Sequence, residues 1–147
     1  MKKLAVIAGL GLAAAFGGWL ALVNYTEAYE VGVARNFVTG ELELQSGGGL
    51  RFTPPWVAVA VIDTRPVRVC VSTAGRGFNC RLVQFVPDRY REFVAVEGFR
   101  YYWWANRISF NWGYDEEYRG MRDLLRGYAY SVVSYPFVTV LRDYGSP

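Results

Sequence analysis

From Leu4 to Val23 the chain carries no charged side chain, and Lys2 and Lys3 stand immediately before that run. An α-helix rises about 1.5 Å per residue, so roughly 20 apolar residues match the ~30 Å hydrocarbon layer of a bilayer. No other stretch is comparably long and uncharged. The expectation is an N-terminal transmembrane helix, with residues 1–24 as tail and anchor and residues 25–147 as one extramembrane domain. Basic residues flanking a first span are held on the cytoplasmic side, so Lys2 and Lys3 predict a single pass with a cytoplasmic N-terminus and an extracytoplasmic domain. A cleaved signal peptide is the competing reading. The run exceeds the ~7–15 residues of an h-region, and a cut after Ala21 would place bulky Trp19 where small side chains are favoured, which favours a retained anchor.

Within that run Ala5, Gly9, Ala13, Gly17 and Ala21 recur every four residues, a stripe that lets a second helix backbone approach and so marks a candidate helix-pairing face. Beyond it, the aromatic content of 17% supplies apolar surface for one core. The net charge of +3 is scattered and forms no basic cluster, so no nucleic-acid partner is expected.

The pattern after the anchor is mainly that of strands. Tyr29 to Arg35 and Leu42 to Gln45 flank a Thr39-Gly40 turn, and Ser46 to Gly49 reads as a flexible link. Pro54 and Pro55 deny the next segment both helix and central-strand pairing, so Thr53 to Trp56 is a loop or an edge. Val57 to Asp63 and Val67 to Val71 are Val-rich strands. Cys70 and Cys80 flank a stretch whose Ala74-Gly75-Arg76-Gly77 centre suits a reversal, so the two thiols are a candidate disulfide across a hairpin, in an oxidising compartment. Glu92 to Val96 and Phe99 to Phe110 read as a second hairpin, turning at Glu97-Gly98. Its return strand holds Tyr101, Tyr102, Trp103 and Trp104 in succession, which projects bulky rings from both faces; the outward set is expected to be covered by a helix of the same domain, and the alternative, an intersubunit or lipid contact, makes these four a candidate assembly or partner surface. From Asp115 to Tyr135 an amphipathic helix is expected, with Tyr118, Met121, Leu125, Tyr128, Val132 and Tyr135 on one stripe and Pro136 stopping it. Phe137 to Leu141 is a last strand. The fold class expected is α+β, a mainly antiparallel sheet packed by that one C-terminal helix.

Catalytic chemistry finds little support. Histidine is absent, which removes the commonest general base and the usual partner of a Ser or Cys nucleophile. Glu116 and Glu117 diverge by about 100° on a helix and would not face one substrate as a pair. Two cysteines without histidine make no closed zinc site. The expectation is a non-enzymatic protein with no cofactor or metal.

The order of motifs resembles the stomatin/prohibitin/flotillin (band 7) superfamily: an N-terminal span, Tyr29-Glu30-Val31-Gly32-Val33-Ala34-Arg35, Thr39-Gly40-Glu41, Gly48-Gly49-Leu50-Arg51-Phe52-Thr53-Pro54-Pro55-Trp56-Val57, Ile62-Asp63-Thr64-Arg65 and Glu92-Phe93-Val94-Ala95-Val96-Glu97-Gly98. The resemblance implies a membrane-bound scaffold, a homo-oligomer that organises lipid or governs a membrane protease or other membrane protein. This chain would be a short form lacking the family's coiled coil. The resemblance also implies that the Pro54-Pro55-Trp56 loop lies at the membrane surface, with Tyr25 and Phe52 as further interface residues.

Overall fold

The computed structural model describes residues 2–72, 78–102, 107–110 and 117–145, with side chains at all of these except 2–4, 19–21, 107 and 117–120. Among the described residues the chain is mainly β, with ten strands in three sheets. The order begins with α1 (Lys2–Leu22), β1 (Val23–Thr26), β2 (Glu30–Asn36), β3 (Leu42–Gln45), β4 (Gly49–Phe52), β5 (Val57–Asp63), β6 (Val67–Ser72) and β7 (Phe78–Phe85). It continues through α2 (Tyr90–Glu97), β8 (Phe99–Tyr102), β9 (Arg107–Phe110), α3 (Glu117–Ala129) and β10 (Val138–Asp143). A five-stranded sheet runs β3-β2-β5-β9-β8, a three-stranded sheet β10-β7-β6, and β1 pairs with β4 alone. All pairings are antiparallel except β5 with β9.

One core joins the two larger sheets. Alternation along β2 and β5 turns Val31, Val33, Ala58, Ala60 and Ile62 inward, where they meet Val67, Val69, Val83 and Phe85 of the smaller sheet. Helix α3 covers this contact with Met121, Leu125 and Ala129, all buried. Phe93 of α2 stands between the sheets, its ring centroid 5.2 Å from Phe85, 4.8 Å from Phe110 and 5.3 Å from Phe137.

Three expectations are corrected. First, among the described residues no helix is long and apolar enough to cross a membrane. Second, among the described residues three sheets and three α-helices replace the single sheet with one packing helix, and one of those helices holds Glu92 to Val96, the expected strand. Pro87 opens a 3-10 turn (Pro87–Arg89), the Arg89 guanidinium pairs with the Glu92 carboxylate at 3.0 Å, and Gly98 at φ 70° ends the helix by donating its N–H to the Val94 carbonyl. Tyr90, Phe93, Val94 and Glu97 then share one face, which the alternation of a strand would have divided. The Tyr90 hydroxyl donates to the Leu42 carbonyl at 3.1 Å, and Glu97 accepts from Tyr128 of α3 at 2.5 Å, so α2 is tied on both sides.

Third, α3 ends at Ala129 rather than Tyr135, while Asp115 and Glu116 lie outside the described residues. Arg81 of β7 explains the stop: its guanidinium donates to the Ala129 carbonyl, lies 4.7 Å from the Tyr130 ring centroid and pairs with Asp143 at 2.8 Å. A cation from a neighbouring strand thus satisfies a terminal helix carbonyl at the negative end of the dipole. The Tyr130 hydroxyl donates to the Asn79 carbonyl at 2.7 Å and redirects the chain, leaving Val132 fully exposed instead of on the buried stripe.

Candidate functional site

The most unusual surface starts at the N-terminus. In α1, Val6, Ile7, Leu10, Leu12 and Phe16 are each more than half exposed; at about 100° per residue they cover an arc of about 220°, and the rest of the circumference carries the exposed small residues Ala8, Gly11 and Ala15. A helix that is apolar on every side is normally buried. Of the small-residue stripe, Ala5, Gly9, Ala13 and Gly17 are exposed, and a Cβ built at Gly9 or Gly17 would meet nothing within 4 Å. Among the described residues no second helix packs there. The side chain of Ala21 lies outside the described residues.

The chain passes from Leu22 of α1 directly into Val23 of β1, and the Thr53 N–H donates to the Leu22 carbonyl at 2.6 Å. Register pairs Val23 with Phe52 and Tyr25 with Leu50, placing these four on one face of the two-stranded ribbon. Tyr25 is 57% exposed, Leu50 67% and Phe52 71%. The other face is polar and closed: Asn24 donates to the Thr53 hydroxyl, the Thr26 hydroxyl donates to the Gly47 carbonyl at 3.5 Å, and Arg51 donates to the Ser46 carbonyl. Thr26 and Thr53 are both buried. The Tyr25 hydroxyl reaches Glu27 at 3.4 Å, and the charge of that carboxylate raises the Tyr25 pKa.

Thr53 to Trp56 is the loop that its prolines require, closed by the Val57 N–H donating to the Pro54 carbonyl at 2.9 Å. Pro54 is half-buried, and Pro55 and Trp56 are exposed. Phe37 links this loop to the aromatic cluster: its N–H donates to the Trp56 carbonyl at 2.9 Å, and its ring lies 4.3 Å from that of Tyr101. The structure therefore connects Trp56 to Tyr101 through Phe37, two residues assigned from sequence to different surfaces. Tyr101 is 42% exposed and Tyr102 half-buried; Trp103 and Trp104 lie outside the described residues. Phe37 was not among the candidates. Its signal was an apolar Phe37-Val38 pair inside a Gly turn. Val23 and Leu50 were also missed, and only the β1–β4 register reveals them.

A disulfide joins Cys70 to Cys80, which face each other across β6 and β7 with Cα atoms 4.1 Å apart. The expected turn at Ala74 to Gly77 lies outside the described residues. Near the β2–β3 turn a cleft of about 680 Å³ is bordered by Asn36, Glu41, Glu43, Val57 and Arg91. Among the described residues no three His, Cys, Asp or Glu side chains converge on a metal position. No family model and no curated protein matches this chain.

Proposed function

We propose that the protein is a non-enzymatic, membrane-associated scaffold that self-associates and presents its β domain to a membrane protein partner, such as a protease. The observation that carries the reading is α1. Its large apolar side chains are exposed over about 220° of the circumference and Ala or Gly over the rest, and burying such surface in lipid contributes about 25 cal/mol per Å². The reading requires lipid contact along the helix and not a crossing of the bilayer. The absence of histidine from the whole sequence supports a binding role over hydrolytic chemistry. The Cys70–Cys80 bridge favours a domain in an oxidising compartment. Membership of the stomatin/prohibitin/flotillin superfamily is a separate proposal. It is carried by the order of motifs as far as Ile62-Asp63-Thr64-Arg65, whereas the helix at Tyr90–Glu97 departs from the strand that the resemblance implied.

The test is flotation of full-length protein with phosphatidylcholine/phosphatidylglycerol vesicles, together with its mass in mild detergent. Co-flotation and a discrete oligomer are expected. Protein left at the bottom of the gradient as a monomer refutes the reading. The same bridge and β-rich domain also favour a second reading, an exported structural or adhesion subunit that loses its N-terminus. N-terminal sequencing of the mature protein separates the two.

A further inference from the structure

The ribbon of β1 and β4 is amphipathic in the reverse of the usual sense, with its hydrogen-bonded polar face turned to the domain and its apolar face turned out. We propose that the face made by Val23, Tyr25, Leu50 and Phe52 rests in the interfacial layer of a lipid bilayer and sets the height and tilt of the β domain above it. This rests on the membrane association proposed above and assigns it a second, separate contact.

Three observations select lipid as the occupant. The helix that runs into this ribbon is uncharged and exposed all round from Ala5 to Gly17, with large apolar side chains over about 220° and Ala or Gly over the rest, an arc wider than a partner docked on one side covers and one that lipid surrounds. The ribbon is bonded to the end of that helix through the Thr53 N–H and the Leu22 carbonyl, so the medium around α1 continues to the ribbon. The face combines Tyr and Phe with aliphatic side chains, the residue types that settle at the membrane–water boundary, and the Tyr25 hydroxyl is held toward the Glu27 carboxylate. Thr26 and Thr53 on the polar face are both buried, so that face is the one turned to the protein and the apolar face is the one left outward.

The experiment uses full-length Leu50→Cys, Phe52→Cys and Val132→Cys proteins with the Cys70–Cys80 bridge intact, each labelled with a polarity-sensitive thiol fluorophore. With phosphatidylcholine/phosphatidylglycerol vesicles, the labels at 50 and 52 shift to the blue and are quenched by lipid spin-labelled near the headgroup, while the label at 132 stays water-like. A Leu50→Glu/Phe52→Glu double variant, substituted only at exposed positions, lowers the vesicle partition constant about tenfold or more. Protein that floats while labels 50 and 52 keep water-like emission overturns the ribbon assignment and leaves the proposed function standing. An equal shift at 132 also overturns it. A blue shift without vesicles in a species of twice the mass assigns the face to a second copy instead. Failure of the unsubstituted protein to float removes both.

Discussion

Phe93→Ala is the most informative perturbation of the fold. Its side chain is 0% exposed and packs edge-on against Phe85 of β7 and Phe137 before β10 and at a tilt against Phe110 of β9, so it joins both larger sheets through α2. Truncating a buried Phe to Ala costs about 3–5 kcal/mol, from lost transfer energy and from the cavity left behind. Three aromatic neighbours that cannot all collapse inward put this site near the middle of that range or above, at about 4 kcal/mol. With a urea slope of about 1.5 kcal/mol per M, the unfolding midpoint falls by about 2–3 M at unchanged slope. Phe93→Leu, which keeps most of the volume, costs about 1 kcal/mol. A companion pair tests the helix itself. Val94 is 8% exposed and Val96 51%, so Val94→Asp is strongly destabilising and Val96→Asp stays within about 0.5 kcal/mol. In a strand those two would share a face. Equal damage from the two Asp variants, or a loss below about 1 kcal/mol for Phe93→Ala, refutes the role given to α2.

Replacing Cys70 and Cys80 by Ala opens a loop of sequence separation 10, for which chain entropy gives about 2.7 kcal/mol; the melting temperature falls by about 5–10 °C and matches that of reduced wild type, and two titratable thiols in unreduced protein would contradict the bridge. A Cβ at Gly48 would lie 2.8 Å from the Ala28 backbone nitrogen and 2.9 Å from its Cα, contacts that no rotamer relieves, so Gly48→Ala costs about 1–3 kcal/mol in urea unfolding and a neutral result would displace the β1–β2 turn from this position. Burial, and then the hydrogen bond to Glu97, raises the Tyr128 pKa above its ordinary value, so the folded state holds this proton more tightly than the unfolded chain. That contribution is complete below about pH 10 and is lost as the pH rises from there toward the folded pKa; melting temperatures from pH 8 upward should fall less steeply in Tyr128→Phe.

Much of the β framework was legible because its signals are local. β3 and β5 coincide with the segments bounded by Gly and Pro turns, and the one-turn spacing of Met121, Leu125 and Tyr128 marks the face of α3 that is buried or half-buried. The errors fall where a local signal is shared by two structures. Phe93-Val94-Ala95-Val96 is short and apolar enough for either strand or helix, and the choice rests on partners far along the chain, Leu42 and Tyr128. The end of α3 is another such case. Pro136 allowed the helix to reach Tyr135, but the guanidinium that ends it belongs to Arg81, on a strand whose nearness is a product of the fold.

The candidate surface divides in the same way. The uncharged N-terminal run, the turn chemistry around Pro54-Pro55 and the cysteine spacing follow from sequence alone, because helix rise, fixed proline φ and loop closure act over a few residues. Which side chains the ribbon presents, and that Phe37 joins Trp56 to Tyr101, were decided by the tertiary structure. A strand's composition states that its two faces differ, while only the register with its partner determines which face meets the domain and which is left for something else to cover.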